Sequence, residues 1–227
     1  MPFRRDAMPP VAIEGTIASG KTSVLEAVNR ATGLSVTYEP VDAWEPFLKA
    51  AYESNTGHVA LQARIMLDTC CECPTTDLVE RSPLLQPLTF IPALHLHQQS
   101  TSHLERTMLN ELHARLLTWA PAHTIFLTCS LSAAKQRIRS RGRGCEKSID
   151  GNYLAILHGL YEAAIQAFPE SSVIDTTDKP LDLVVEEVLA ILKQVGHTAA
   201  AHENDAQPAQ LPMRTSTTST ESGQCLR

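Results

Sequence analysis

A short apolar run, "VAIEG" at 11–15, leads directly into a loop and then into a helix-forming segment, and the residues from Gly15 to Thr22 read G-x-x-x-x-G-K-T. No other feature constrains the fold as strongly. The pattern works only where a strand ends in glycine, the loop turns its backbone N–H groups inward, and the next helix aims its N-terminus at the same point. The segment "KTSVLEAVNRA" (21–31) supplies that helix, with Val24, Leu25 and Val28 at helical spacing. A strand–loop–helix unit of this kind belongs to a parallel sheet covered by helices.

The rest of the chain continues the alternation. Strand-like segments are "LSVTYEP" (34–40), "TDLVERS" (76–82), "HTIFLTCS" (123–130) and "SSVIDT" (171–176). Helical patterns fall at "AWEPFLKAAY", "HVALQARIMLDTCC", "LSAAKQRIRSR" (131–141), "GNYLAILHGLYEAAIQAF" (151–168) and "PLDLVVEEVLAILKQV" (180–195). A long helical region is expected over 83–119, broken near "QQSTS". The prediction is an α/β fold with a five-stranded parallel sheet flanked by helices. Functional groups then belong at the carboxyl ends of the strands. One domain over 10–196 accounts for these segments, with a flexible N-terminus (1–9) and a disordered tail (197–227) rich in Ala, Ser, Thr, Gln and Pro.

Composition narrows the function classes. The net charge of −6 offers no basic excess for bulk nucleic-acid binding. The apolar runs are strand-length, too short to cross a bilayer, and the N-terminus has no apolar signal core. Three of the six cysteines bunch in "CCEC" and the others are scattered, which fits reduced thiols in a cytoplasmic compartment.

In the loop, Gly15, Thr16, Ile17, Ala18, Ser19 and Gly20 form the cradle for the phosphates of ATP. Lys21 can reach the β- and γ-phosphates, and the Thr22 hydroxyl can ligate Mg2+. The G-protein N-K-x-D motif is absent from the sequence. Glu39 and Glu80 stand at the ends of the second and third strands, with Arg81 next to the latter. A carboxylate there can take a proton from a phosphoryl acceptor or hold Mg2+, and an arginine can offset charge on the transferring group. Arg137, Arg139, Arg141 and Arg143 form a ladder running into Gly142 and Gly144, suited to an arginine-rich lid over phosphates.

These pieces together resemble the deoxynucleoside kinase family. "IEGTIASGKTS", "EPVDAW", "ERS" and "RIRSRGRGCEKSI" are similar to its phosphate loop, its E-P-V-x-x-W element, its third-strand motif and its lid. "YLAILHGLYEAAI" is similar to the helix after the lid, and the compact chain resembles viral members of herpesvirus thymidine kinase type, which would act in the host cytosol. The resemblance implies transfer of the γ-phosphate of ATP to the 5′-hydroxyl of a small-molecule deoxynucleoside, thymidine or deoxycytidine. It implies Glu39 as general base, Trp44 as a wall of the pocket, Glu80 on Mg2+, and Arg81 beside the reacting oxygen. It places Tyr52 and Glu146 on the 3′-hydroxyl and Asp175, in "DTTDK", in the adenine loop. It also implies a homodimer through helices, for which the apolar 83–119 region is available.

Some positions depart from the family pattern. The glutamine that reads the base falls on Gln62, or one turn earlier where the chain has Val59. After "ERS" the chain reads "PLLQPLTF", which puts Gln86 and Phe90 near the base. Two alternatives stand beside the leading one. A nucleoside-monophosphate kinase shares the loop and the lid but needs cations for the acceptor's own phosphate. Between Trp44 and Glu80 only Lys49 and Arg64 are basic. A non-catalytic nucleotide-binding module would have no use for a base such as Glu39.

Overall fold

A computed structural model describes residues 8–197 except 55, 98–100 and 147, and the backbone alone of 145. The expected flexible termini lie outside the described residues save for Met8, Pro9 and His197. His197 is buried and its N–H donates to Leu192 O at 2.9 Å, so the folded region reaches one residue into the expected tail.

The most apolar segments become the middle of the sheet. β1 (Val11–Gly15) is buried along its whole length. It lies between β3 (Leu78–Glu80) and β4 (His123–Thr128), with β2 (Val36–Thr37) and β5 (Ser172–Asp175) at the edges. The order β2-β3-β1-β4-β5 is parallel throughout, as expected for strands that read as continuous apolar runs. Register sets Ile13 opposite Glu80 and Ile125, and Gly15 opposite Leu127. β2 is far shorter than 34–40, because an edge strand pairs on one side only and Pro40 stops it.

The two faces of β1 and β4 alternate with the pleat. Ile13, Ile125 and Leu127 pack against α1 (Lys21–Thr32) and α8 (Leu181–Gln194), through Val24, Leu25, Val28, Val184 and Val188. Phe126 faces the other way, into a core with Leu154, Leu157 and Tyr161 of α7 (Gly151–Gln166). Burying Phe126 alone is worth about 2–3 kcal/mol. Glu14, one residue from Ile13, shares the Phe126 side and is buried there at 1% exposure.

α2 (Val41–Glu53) packs on α3 (His58–Thr69) beyond the edge of the sheet. The expected helix over 83–119 is divided more than its pattern suggests. It gives a 3-10 turn at Pro83–Leu85, then α4 (Phe90–Leu96) and α5 (His103–Leu116). Pro83 and Pro87 lack the N–H that a continuous helix would need. Ser102 starts α5 afresh through a capping box with Glu105. α6 (Leu131–Arg141) ends at Gly142 and leads through a 3-10 turn, Gly144–Glu146, into α7. Among the described residues no helix is long and apolar enough to cross a membrane.

The chain builds β1, β2 and β3 on one side, then crosses to β4 and β5 on the other. The carboxyl edge beside β1 is therefore a topological switch point, where open α/β sheets bind ligands.

Candidate active site

The loop after β1 is shaped by contacts that exclude side chains. A Cβ on Gly15 would lie 2.2 Å from Leu127 O and 2.5 Å from Ser19 Oγ. Gly20 caps α1 with φ 101°, a conformation open to glycine. The N–H groups of Lys21, Thr22 and Ser23, in the first turn of α1, have no partner among the described residues and can serve an anion. Lys21 is buried, and its ammonium donates to Gly15 O (3.2 Å) and Thr16 O (3.0 Å). Burial pushes its pKa down to about 8, with Arg81 lowering it further and Glu39 and Glu80 opposing. Thr22 Oγ1 donates to Glu80 Oε1 at 2.7 Å.

β2 and β3 are neighbours, so Glu39 and Glu80 reach the same space from adjacent strand ends. Arg81 Nε donates to Glu39 Oε1 at 2.6 Å. The Arg81 backbone sits at φ 72°, rare for a side chain of this size, and its N–H is held by Ile13 O at 3.0 Å. This turn swings the guanidinium beneath the loop, where Nη1 donates to Gly15 O (2.9 Å) and to Tyr161 Oη (2.6 Å). Burial alone would lower the Arg81 pKa, but Glu39, Tyr161 and Glu14 hold it above its usual value.

A cavity of about 620 Å³ opens around this centre. One end is the phosphate loop and the first turn of α1, from Ile17 to Val24, with Arg137, Thr176 and Lys179 beside it. The other end is walled by Trp44, Leu48 and Tyr52 of α2, by Leu61, Gln62 and Ile65 of α3, and by Gln86 and Phe90. Glu39 and Arg81 lie on its lining, as do Arg141, Arg143 and Glu146. Trp44 is fixed by Asp68, which accepts from its Nε1 at 2.7 Å. Gln62 and Gln86 are both buried, and Gln86 Nε2 donates to Gln62 Oε1 at 3.4 Å. Gln62 lines the cavity, whereas Val59 packs into the small core with Met66, Ile91 and Leu109.

The four arginines of the ladder differ in their contacts. Arg137 is tied down: Nη1 donates to Ala18 O (3.3 Å) and Thr176 Oγ1 (3.0 Å), and Nη2 donates to Thr176 O. Arg141 and Arg143 both pair with Glu146, Arg143 at 3.2 Å. Arg139 is exposed and does not line the cavity, since two helical positions from Arg137 point to the opposite face. Asp175 also stays out of the cavity. Its carboxylate accepts from the N–H and hydroxyl of Thr177, at 2.9 and 2.6 Å, and so closes its own turn. Thr176 and Lys179 stand at the cavity in its place. Gly15 and Thr16 face a smaller space of about 30 Å³ behind the loop.

Sequence reasoning missed Glu14 and Tyr161. Glu14 accepts from Ser82 N, from Gly15 N (3.2 Å) and from Tyr161 Oη (3.3 Å). The available signal was a lone acid inside a strand otherwise fully apolar.

A strand–loop–helix phosphate cradle and an apolar-walled cleft beyond it, meeting at a half-buried carboxylate–arginine pair, define a P-loop protein with room for a second ligand. A family model described as deoxynucleoside kinase matches residues 11–197, and the chain belongs to that family. Among relatives, the thymidine kinase of Ictalurid herpesvirus 1 is 24% identical over 196 residues, covering 79% of this chain and 84% of that protein. The mitochondrial thymidine kinase 2 of Macaca fascicularis is 28% identical over 166 residues, covering 67% of this chain and 62% of its own length. A structure of deoxyadenosine kinase from M. mycoides with products bound superposes with a TM-score of 0.73 at 18% identity, covering 82% of this chain and 99% of that one. That likeness shows the shared fold.

Proposed function

We propose that the protein transfers the γ-phosphate of ATP to the 5′-hydroxyl of a deoxynucleoside, with thymidine and deoxycytidine as acceptors. The observation that carries this reading is the Glu39–Arg81 pair, 2.6 Å apart between the phosphate loop and the cleft walled by α2 and α3. Glu39 takes the proton of the acceptor hydroxyl, and Arg81 and Lys21 offset charge on the transferring group. Arg137, Arg141 and Arg143 add positive charge over the donor phosphates. Tyr52 and Glu146 meet the sugar, while Trp44 and Phe90 enclose the base.

The donor set fits Mg2+, which takes few protein ligands and keeps its remaining positions for phosphate and water. The Thr22 hydroxyl and the Glu80 carboxylate, hydrogen-bonded at 2.7 Å, supply hard oxygens beside the loop. When bound, Mg2+ neutralises charge on the β- and γ-phosphates.

An uncharged acceptor fits better than a nucleoside monophosphate. The α2–α3 wall contributes no Lys or Arg to the cavity, and its two cations are engaged outside it, Lys49 with Glu45 and Arg64 with Asp68. The facing amides of Gln62 and Gln86 address the base edge. With Gln86 donating to Gln62, Gln86 Oε1 is buried and without a partner among the described residues, so the pair offers one donor and one acceptor. Turning both amides over reverses that order. The pair therefore matches cytosine in one arrangement and thymine in the other.

The test is transfer from radiolabelled ATP to a panel of nucleosides and nucleoside monophosphates. Deoxynucleosides are expected to be labelled and monophosphates not. Glu39→Gln is expected to keep ATP affinity and to lose about 10²–10⁴ in kcat. Full turnover in that variant would overturn the assignment of the base.

A further inference from the structure

Arg81 uses three of its five N–H groups within the protein, and the partners come from three separate elements. Nε–H goes to Glu39, after β2; the two on Nη1 go to Gly15 O, at the end of β1, and to Tyr161 Oη, in α7. The two N–H groups of Nη2 have no partner among the described residues, and Arg81 lines the cavity. Tyr161 Oη accepts from Arg81 and donates to Glu14 Oε2. Glu14 lies 3.7 Å from Nη1 and receives two backbone N–H groups besides. Burial pushes the Glu14 carboxyl above its usual range, while Arg81 and the donating N–H groups of Ser82 and Gly15 pull it back toward the carboxylate.

We propose that Glu14 and Tyr161 are positioning residues for the phosphoryl transfer: together they hold one edge of the Arg81 guanidinium, which in turn holds Glu39 against the reacting centre. The inference rests on the reading of Glu39 as the base and of Arg81 as its partner. Neither Glu14 nor Tyr161 touches the acceptor in this scheme. A guanidinium is planar, so fixing Nη1 fixes the directions of Nε–H and Nη2 together. Without the Tyr161 hydroxyl, Gly15 O is the one hydrogen-bond partner left to Nη1 among the described residues, with Glu14 at 3.7 Å, and the guanidinium plane is held less tightly. The charged and titratable groups facing this centre are Glu14 and Lys21 near β1, Glu39 after β2, Glu80 on β3, and Tyr153 and Tyr161 on α7.

Phe90 supports the arrangement from the cavity side. Its ring centroid lies 5.0 Å from the Arg81 guanidinium carbon, and it meets the Tyr161 ring edge-on at 6.1 Å. Tyr161→Phe keeps that ring contact and removes only the hydroxyl, which makes it the informative variant. Glu14→Gln keeps the shape and removes the charge.

The experiment measures kcat, KM for ATP and KM for deoxynucleoside in Tyr161→Phe, in Arg81→Lys and in the double variant, with melting temperatures alongside. Tyr161→Phe is expected to lower kcat roughly tenfold while KM for ATP stays within about twofold. The double variant is expected to be no slower than Arg81→Lys, because the hydroxyl has nothing left to position. Glu14→Gln is expected to lower kcat in the same manner. A merely structural tyrosine would lower the melting temperature and multiply with Arg81→Lys in kcat. Independent effects, or parental kcat in Tyr161→Phe, would overturn the proposal. If Glu39→Gln is inactive while Tyr161→Phe matches the parent, only the positioning role fails. If Glu39→Gln is fully active, the reading beneath it fails.

Discussion

Lys21 makes the ligand-free protein less stable at neutral pH than its packing alone would give. Its ammonium is buried, with two carbonyl oxygens as its hydrogen-bond partners. Its pKa falls from the usual 10.5 to about 8, chiefly through burial. A drop of that size corresponds to about 3 kcal/mol. The sign follows from proton counting. Between about pH 8 and about pH 10.5 the unfolded chain keeps the lysine proton that the folded protein has released, so stability rises with pH across that window. Below it, the full cost of the buried charge remains. Lys21→Met removes the charge and keeps the length. The melting-temperature advantage of Lys21→Met over the parent is expected to shrink by roughly 6–10 °C between about pH 7 and about pH 10. Differential scanning calorimetry at matched ionic strength measures this, and taking the difference between proteins cancels the cysteine and tyrosine titrations they share. ATP is expected to raise the melting temperature of the parent and not of the variant, since phosphate oxygens are the partners the buried ammonium lacks. A difference between the two proteins that does not change with pH would refute the buried-charge reasoning.

Gly15→Ala is expected to lose about 3 kcal/mol or more, because the new Cβ meets a backbone oxygen at 2.2 Å. Gly20→Ala meets nothing within 4 Å and is expected to lose only about 1 kcal/mol to its left-handed backbone; equal melting temperatures for the two variants would contradict this. Gln86→Glu turns the Gln62 amide to donate to the carboxylate, so both residues present acceptors and each pyrimidine meets one unmatched oxygen; kcat/KM is expected to fall about tenfold or more for deoxycytidine and thymidine alike, and an unchanged value for either would contradict the paired-amide reading.

The sheet and the donor half of the site were legible because their signals are local. Five apolar runs separated by helical periods give the strand number, and the spacing from Gly15 to Thr22 fixes the loop. Glu39, Glu80 and Arg81 were readable as strand-end residues. What escaped depends on contacts between distant segments. Tyr161 looks like one more apolar position in α7, and its hydroxyl gains meaning only against Arg81, 80 residues earlier. The arginine ladder suggests four equivalent charges, but helical rotation separates Arg139 from Arg137, and Glu146 occupies Arg141 and Arg143. Asp175 has the charge of a ligand-facing residue and spends it on Thr177. The division of 83–119 was only partly visible, since an apolar pattern does not show where a proline turn separates two helices.

Glu14 and Gly15 are consecutive residues, yet they serve opposite halves of the site. The peptide unit between them ties the donor cradle to the anchor of the acceptor side. That unit lies in a strand buried along its whole length, so the loop and the anchor of Arg81 share one backbone segment in the core. Side chains of α2 and α3 that wall the cavity, such as Leu48 and Ile65, can then be changed without touching that segment. The cavity wall is in that sense a separate part mounted on the strand frame, and the glutamine pair is one of its fittings.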